Sequence, residues 1–262
     1  MKKVRAKKHL GQHFLTQTEI ANDIAHGISD KESVKNVLEI GPGTGILTRA
    51  LMARERFNLK LIEIDSESVQ HLHERHPELG SSIIEGDFLK MDLTTIFEGN
   101  AFILCGNFPY NISSQILFRI VENKDLIPEM VGMFQKEVAE RAIAKHGSKT
   151  YGILSVLIRA YYDSEYLFTV DEGAFEPPPK VKSGVIRLVR NERKELPIPY
   201  SFFKSMVKAA FNQRRKTLRN SLSAFLDENL KSELSETLKL RPEQMSCESF
   251  VELATRLQKD KG

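Results

Sequence analysis

Seven short apolar runs are spaced along the first 190 residues, and each is typical of a buried β-strand. They cover residues 37–40, 59–65, 82–86, 101–105, 130–134, 166–170 and 184–189. Segments with apolar residues at helical spacing lie between most of them; Ile20, Ile24 and Ile28 are one example. Strands that alternate with helices predict an α/β fold, here a Rossmann-like, doubly wound sheet of seven strands that ends in a hairpin.

The pattern changes after residue 190. Residues 191–199 are charged and contain two prolines, which is typical of a linker. No strand pattern follows, and helices are predicted at 200–212, 214–227, 228–238 and 247–258. We therefore predict two domains, residues 1–190 and residues 191–262, of which the second is small and all-helical.

The composition, 41% hydrophobic and 28% charged, is that of a soluble globular protein. No apolar run is long enough to cross a membrane, and no apolar block follows the basic N-terminus as a signal peptide requires. Cys105 and Cys247 have neither disulfide nor metal spacing, and His71 and His73 do not share a helix face. We expect a cytoplasmic protein without a metal site.

The net charge of +3 is unevenly distributed along the chain. Five basic residues stand among the first eight, and six stand in residues 201–219, where no Asp or Glu occurs. Two basic patches on an otherwise acidic chain predict contact with a polyanion such as RNA, although solvated helix faces are the alternative. The predicted RNA contacts are Lys7, Lys8, Arg214, Arg215, Lys216 and Arg219.

The first strand runs directly into Gly41-Pro42-Gly43-Thr44-Gly45, and a helical pattern follows at 46–51. A strand, a glycine-rich turn and a helix form the first unit of a nucleotide-binding fold, because glycines let the backbone approach a ligand closely. The dinucleotide fingerprint places its third glycine where Ile46 stands here. The spacing therefore argues against a nicotinamide cofactor and favours the related loop that binds S-adenosylmethionine.

The next two predicted strands also end in polar residues. Glu63, 22 residues after Gly41, stands near the end of the second strand, where a carboxylate can accept both hydroxyl hydrogens of a ribose. Asp87 and Phe88 follow the third strand and can bind the amino group and the ring of an adenine. Because parallel strands end at one edge of a sheet, these residues predict a single site shaped for a ribonucleoside.

The fourth strand is followed by Asn107-Phe108-Pro109-Tyr110. The Asn107 amide oxygen and the Pro109 carbonyl can each accept one hydrogen of an adenine amino group, which directs the nitrogen lone pair at a methyl donor. Tyr110 can stack on the base, and Phe175, in a loop with three prolines, can cover the other face. An ordinary turn at Tyr110 and a core-facing Phe175 are the alternatives.

Four motifs stand in one order along the chain. They are residues 10–15 (LGQHFL), 37–45 (VLEIGPGTG), 106–113 (GNFPYNIS) and 211–217 (FNQRRKT). From about residue 5 to about residue 225, the chain closely resembles the rRNA adenine dimethyltransferase family, in the KsgA-type branch that acts on small-subunit rRNA. It departs from the commonest pattern at Phe108, where Leu or Ile is usual, and at His13, where Asn is frequent.

The resemblance implies S-adenosylmethionine-dependent N6,N6-dimethylation of two adjacent adenosines near the 3′ end of 16S rRNA, as a step in ribosome biogenesis. It implies a methyltransferase domain at 1–190 and a helical RNA-binding domain at 191–262, in a protein that we expect to be a monomer. By position it assigns cofactor contacts to His13, Leu15, Gly41, Glu63, Asp87 and Asn107. We expect Gly43, in the glycine loop, and Phe88, beside the adenine ring, to contact the cofactor as well.

Four other functions stay open. A dimethylase of large-subunit rRNA shares the glycine loop and the Asn-x-Pro-Tyr motif, but residues 212–217 favour the small-subunit branch. A DNA adenine methyltransferase is a second alternative. A ribosome-assembly or transcription factor that uses the fold to bind nucleic acid is a third. A nicotinamide dehydrogenase fits the coarse fold but not the glycine spacing.

Overall fold

The computed structural model of the protein describes residues 4–29 and 34–259, so Lys2 and Lys3 of the N-terminal basic patch lie outside the described residues. Contacts within the chain group it into two compact units. The first comprises Met1–Ala139 and Ser164–Arg190, and the second comprises Glu140–Asp163 and Asn191–Gly262. This grouping differs from the predicted boundary at residue 190, because the segment Glu140–Asp163 belongs to the same compact unit as the C-terminal helices.

All seven predicted strands are present, and two short strands accompany them. The strands are β1 (Phe14–Leu15), β2 (Asn36–Ile40), β3 (Asn58–Glu63), β4 (Ile83–Glu85), β5 (Ile103–Asn107), β6 (Glu129–Gln135), β7 (Tyr162–Val170), β8 (Phe175–Glu176) and β9 (Ser183–Arg190). The helices between them are α1 (Thr18–His26), α2 (Ile46–Met52), α3 (Ser66–Arg75), α4 (Ser113–Glu122), α5 (Lys136–Ile143) and α6 (Ile153–Arg159).

The main sheet has the strand order β4-β3-β2-β5-β6-β9-β7. The strands from β4 to β6 are parallel, and β9 is antiparallel to β6. The order along the chain reverses between β2 and β5, which leaves a crevice at their carboxyl ends where ligands bind in such folds. The Rossmann-like, seven-stranded sheet is therefore confirmed, with β9 and β7 as neighbours at one edge.

The central strands are buried on both faces, as expected for parallel strands. Val37 and Leu61 point to one face, where they share a hydrophobic core with residues of α1, α2 and α3. Leu38 and Ile62, the next residues along each strand, are equally buried on the opposite face. The sheet thus fixes the strand ends rigidly beside the crevice.

The strands β1 and β8 form a small antiparallel sheet that the sequence pattern did not predict. Leu15 pairs with Phe175 and Phe14 pairs with Glu176. Strands of two residues are too short to show a period of two, so nothing in the hydrophobic pattern distinguishes them from a loop. This sheet ties the segment before α1 to the segment before β9.

The second unit is helical and contains α6, α7 (Tyr200–Asn212), α8 (Leu218–Ser221), α9 (Glu228–Glu233) and α10 (Cys247–Lys259). The rings of Tyr151, Phe211 and Phe250 pack in series, with centroid distances of 5.9 and 5.8 Å. The helices predicted at 214–227 and 228–238 are shorter than expected, because turns follow α7 and α9. No helix among the described residues is long and apolar enough to cross a membrane.

Candidate active site

The loop between β2 and α2 depends on glycine. Gly41, Gly43 and Gly45 have φ angles of +65°, +54° and +79°, in the left-handed region that side chains disfavour. The Gly41 N–H donates to the Ile62 carbonyl at 2.9 Å and continues the β2–β3 pairing. A Cβ on Gly43 would lie 2.8 Å from the Phe14 ring, so this residue allows the ring to pack directly on the loop.

Glu63 is buried at the end of β3 and faces the glycine loop. One carboxylate oxygen accepts the Gly43 N–H at 3.1 Å, and the other accepts the N–H groups of Ile64 and Asp65 at 2.9 and 3.0 Å. Burial raises the pKa of the Glu63 carboxyl, and these three N–H groups oppose the rise. The carboxylate is therefore held in a fixed orientation at the wall of the crevice.

Asp65 anchors the chain segment that crosses the crevice. Its carboxylate accepts hydrogen bonds from the Lys7 ammonium group and from Gln12 Nε2, the latter at 3.2 Å. Burial acts to raise the pKa of Asp65, but the Lys7 and Gln12 hydrogen bonds contribute to a net decrease. Lys7, which the sequence predicts to contact RNA, thus has a carboxylate partner inside the protein.

Asn107 ends β5, across the crevice from Glu63. Its Nδ2 donates to the His13 carbonyl at 2.9 Å. Because a carbonyl oxygen can only accept, the nitrogen must be the amide atom that faces His13. The amide oxygen is therefore left to accept a hydrogen bond from a substrate, as the sequence-based mechanism requires.

Phe108 is buried beneath this turn and makes its backbone rigid. Its ring lies 4.8 Å from that of Phe134, and its N–H donates to the Met133 carbonyl at 3.1 Å. A Cβ on Gly132 would stand 2.1 Å from the Phe108 ring, so the ring occupies the space of the missing side chain. Position 132 is thus part of the site's support, although no sequence motif indicated it.

The Pro109 carbonyl points toward the start of α4, where it accepts the Ile112 N–H at 3.3 Å. The Ser113 hydroxyl lies 3.2 Å from this carbonyl and 3.1 Å from the Tyr110 carbonyl, and its single hydrogen can be donated to only one of the two. When the hydroxyl donates to the Tyr110 carbonyl, the Pro109 oxygen keeps a lone pair for the adenine amino group.

Tyr110 is held at its hydroxyl group and on its ring. The hydroxyl lies 2.5 Å from Ser183 Oγ, and burial raises the pKa of the phenol. The His13 imidazole packs on the ring with a centroid distance of 5.2 Å. His13 Nδ1 donates to the Pro177 carbonyl at 2.8 Å, so the imidazole is fixed on the Tyr110 ring instead of pointing freely into the crevice.

Two cavities adjoin Tyr110 and His13, and Asn107 lines the first of them. The cofactor-side cavity, of about 50 Å³, is lined by Gly41, Gly43, Glu63, Ile64 and Asn107, together with residues 10–14. The base-side cavity, of about 450 Å³, lies on the other side of His13 and Tyr110. It is lined also by Gln135 and by residues 177–181. Residues 11–13 line both cavities and divide one from the other.

Several predicted contacts lie away from these cavities. Phe175 is 4% exposed and Leu15 is 3% exposed, since their pairing in the small sheet turns both side chains into the core. Phe175 is therefore the core-facing residue of the alternative interpretation, not the wall of a base site.

Phe88 is also buried, beneath the Arg119 guanidinium. Asp87 is half-buried beside the end of β3 and accepts the Leu89 N–H at 2.9 Å.

The predicted RNA contacts differ in how freely they face solvent. Lys8, Arg215 and Lys216 are exposed. Arg214 is half-buried and donates to the Ser148 carbonyl at 3.2 Å. Arg219 is exposed, and its guanidinium donates to the Lys231 carbonyl at 3.0 Å. A basic surface at residues 215–219 thus remains available, with Arg214 partly used to fold its own unit.

Known proteins resemble this chain over nearly its whole length. A family model described as Ribosomal RNA adenine dimethylase matches residues 3–259. The chain is 53% identical over 257 residues to Ribosomal RNA small subunit methyltransferase A of Cytophaga hutchinsonii, and the match covers 98% of this chain and 99% of that protein.

Two solved structures are similar over almost their whole length. A dimethyladenosine transferase from Plasmodium falciparum has a TM-score of 0.80 and 25% identity, covering 95% of this chain and 98% of that one. The 23S rRNA methyltransferase ErmE has a TM-score of 0.67 and 25% identity, covering 94% and 99%. With a family match over nearly every residue, the chain belongs to the ribosomal RNA adenine dimethylase family.

Proposed function

We propose that the protein transfers methyl groups from S-adenosylmethionine to N6 of two adjacent adenosines near the 3′ end of 16S rRNA in the small ribosomal subunit. Membership of the family makes the chain an rRNA adenine dimethyltransferase. The identity of 53% to a small-subunit methyltransferase, against 25% to a 23S rRNA methyltransferase, supports the small subunit as substrate. The observation that carries the chemistry is the hydrogen bond that orients Asn107.

The residues around the cofactor-side cavity suit S-adenosylmethionine. Glu63 would accept from a ribose hydroxyl through the carboxylate oxygen that has a single N–H partner. The backbone at Gly41 and Gly43 would pack against the ligand, since neither residue has a Cβ. Asp87 would accept from the adenine amino group, because it follows β4, the strand next to β3, by two residues. When bound, this cofactor supplies an electrophilic methyl group.

The space over the glycine loop must widen for a ligand of that size. The cofactor-side cavity of about 50 Å³ is well below the roughly 300–1,000 Å³ of ordinary ligand pockets. Phe14 also lines a separate cavity of about 390 Å³ beside Thr44. Outward movement of the Phe14 ring would join these spaces, and Gln12 and His13 are held near them by hydrogen bonds.

Asn107 is the group that we propose activates the target nitrogen. Its amide oxygen accepts one N6–H, which lets the nitrogen rehybridise and turn its lone pair out of the ring plane. A backbone carbonyl of the same turn accepts the other hydrogen. The Pro109 carbonyl takes this role in our proposal, because one of its lone pairs is free when the Ser113 hydroxyl donates to the Tyr110 carbonyl.

Tyr110 would hold the target base in the base-side cavity. Its ring is fixed by the Ser183 hydroxyl and the His13 imidazole, so stacking on a flipped base requires little further ordering. The methylated nitrogen is acidic and releases one proton to water, so it carries a single hydrogen after the first transfer and one of its two acceptors loses its partner. Contacts to the rest of the base must then carry more of the alignment in the second transfer.

The exposed residues Lys8, Arg215 and Lys216 are our candidates for phosphate contacts. Lys7 is excluded from this set because its ammonium group pairs with Asp65. We further propose that the protein acts as a monomer in the cytoplasm, where newly assembled small subunits are found.

The test is to incubate unmethylated small subunits with the protein and labelled S-adenosylmethionine. Mass spectrometry of the digested rRNA should find dimethyladenosine at two adjacent positions near the 3′ end of 16S rRNA. Fully methylated small subunits, large subunits and duplex DNA serve as controls and should take up no label. Label that appeared only in large-subunit rRNA or in DNA would contradict the proposal.

A further inference from the structure

Gln135 stands at the carboxyl end of β6, between the two groups that act on the target base. In the sheet, Asn107 of β5 is opposite Met133, and Gln135 lies two residues further along the same face of β6. On its other side Gln135 pairs with Ser183 of β9, whose hydroxyl holds Tyr110. The fold therefore brings this side chain to the cavity from a third strand.

The Gln135 amide is half-buried and lines the base-side cavity. Within the described part of the chain it has no hydrogen-bond partner. Gln12, which lines the same cavity, is tied at both ends, by Asp65 at 3.2 Å and by the Lys7 N–H at 2.8 Å. A primary amide offers two donors and an acceptor, so an unpaired one in a cavity is suited to a polar ligand.

We propose that Gln135 donates a hydrogen bond to a ring nitrogen of the target adenine and so fixes the angle at which the amino group meets Asn107. This inference rests on the proposed function. Once Asn107 and a backbone carbonyl take the amino hydrogens, the polar atoms left on the base edge are acceptors. The Gln135 NH₂ group supplies the matching donor, whereas the stacked Tyr110 ring does not restrict rotation of the base in its own plane.

The contact should matter most for the second methyl transfer. Monomethyladenosine has a single amino hydrogen, so one of the two bonds that align the base is lost. The Gln135 bond then provides a larger share of the in-plane alignment. Loss of Gln135 should therefore increase the proportion of product that stops at N6-methyladenosine, which a general loss of folded enzyme would not do.

The experiment compares Gln135→Glu and Gln135→Ala with the wild-type protein on unmethylated small subunits. Gln135→Glu keeps the shape but replaces the donor with an oxygen. We expect both variants to lower kcat/KM for subunits about tenfold, as for one lost hydrogen bond. At equal total conversion, we expect a several-fold higher ratio of monomethyl- to dimethyladenosine. The matched control is Gln70→Ala, on the exposed face of α3, which should behave as wild type.

Calorimetric binding of S-adenosylmethionine and thermal melting give readouts that are independent of turnover. If Gln135 acts on the base, the dissociation constant for S-adenosylmethionine should stay within about twofold of wild type. The melting temperature should stay within a few degrees of wild type. Wild-type kinetics and product ratio in both variants would overturn the assignment, and so would a loss of cofactor affinity that matched the loss of rate. A wild-type protein that transfers no methyl group to 16S rRNA would overturn the proposed function together with this assignment.

Discussion

The His13 carbonyl decides which end of the Asn107 amide faces a substrate. An amide that rotated freely would present its NH₂ group about as often as its oxygen, and the NH₂ group would repel an adenine amino group. The hydrogen bond of 2.9 Å removes that ambiguity before substrate binds. This effect uses the backbone of residue 13, so it does not depend on whether a His or an Asn stands there.

Replacement of Asn107 by Ala should lower kcat by roughly 10²–10³, the loss expected when one preorganised hydrogen-bonding group is removed. Affinity for small subunits should change by less than about twofold, because RNA contacts lie elsewhere. Single-turnover methylation and filter binding measure the two quantities.

The control is Asn111→Ala, which removes a neighbouring amide. The Asn111 amide also bonds the N-terminal segment, by donating to the His9 carbonyl at 3.3 Å, and its loss should leave activity unchanged. A comparable loss of binding in Asn107→Ala would refute the assigned role.

Glu39 is a buried acid near the end of β2, two residues before the glycine loop begins. Its carboxyl accepts the Thr48 hydroxyl at 2.7 Å, and burial raises its pKa to about 8, with the nearby Glu63 charge contributing. In the unfolded chain its pKa returns to about 4.5. Between these values the folded state binds one more proton than the unfolded state, so stability decreases as pH rises.

Replacement of Glu39 by Gln should remove this pH dependence. The gain in unfolding free energy over wild type should be near zero at pH 4.5 and should grow toward pH 8 by up to about 1.4 kcal/mol per pH unit. Urea titrations at pH 5.5, 6.5 and 7.5 measure the difference. Glu55→Gln, at an exposed position, is the control and should show no such trend. A constant difference between Glu39→Gln and wild type across this range would show that Glu39 is ionised in the folded protein.

At the scale of elements, β6 supports the catalytic turn at Gly132, where the absence of a side chain leaves room for the Phe108 ring. The Phe108 ring fills the position that a Cβ on Gly132 would take, at 2.1 Å. Gly106 is similarly restricted, since its Cβ would lie 2.8 Å from the Ile40 carbonyl. The close packing of β5, β6 and Phe108 thus sets where Asn107 and Pro109 emerge.

Replacement of Gly132 by Ala should displace Phe108 and shift the Asn107 turn. We expect a loss of stability of about 1–3 kcal/mol from overpacking and a decrease in kcat of at least tenfold. Thermal melting and single-turnover kinetics measure these effects. Gly173→Ala is the matched control, because a Cβ there meets nothing within 4 Å. Full activity in Gly132→Ala would mean that the turn does not depend on this packing.

The hydrophobic pattern was sufficient to predict the seven-stranded sheet, because each strand is a dense apolar run bounded by polar residues. It also placed Gly41, Glu63 and Asn107 at one edge, since strand ends follow from strand positions. The pairing of Leu15 with Phe175 could not be predicted, because it joins two-residue strands that are distant in sequence. For the same reason the Lys7–Asp65 ion pair was missed, and Lys7 was interpreted as part of a basic surface.

At the scale of the whole molecule, the two compact units do not follow the order of the chain. The segment Glu140–Asp163 ends within β7, ahead of the rest of that strand and of β9, yet it belongs to the same unit as the C-terminal helices. The composition of this segment does not predict the unit to which it belongs, because helix α6 is as apolar as a helix that covers a sheet. The linker predicted at residues 191–199 is therefore one of several places where the chain passes between units.

Replacement of Arg215 by Ala should weaken binding to small subunits and reduce the salt dependence of binding by about one unit, if it neutralises one phosphate. Affinities measured from 50 to 200 mM salt give the slope. Arg256→Ala in α10 is the control, because its guanidinium is paired with Glu233 at 2.6 Å. An unchanged slope in Arg215→Ala would remove this residue from the RNA contact.

The contact between Phe108 and Gly132 has a consequence for how such sequences vary. The large Phe108 ring is accommodated because the facing strand has no Cβ at 132. Positions 108 and 132 should therefore covary, so that relatives with a smaller residue at the first tolerate Ala at the second. The residues that the motif around Asn107 can accept therefore depend on the neighbouring strand. A substitution at position 108 is tolerated or not according to the residue at position 132, which lies outside the motif.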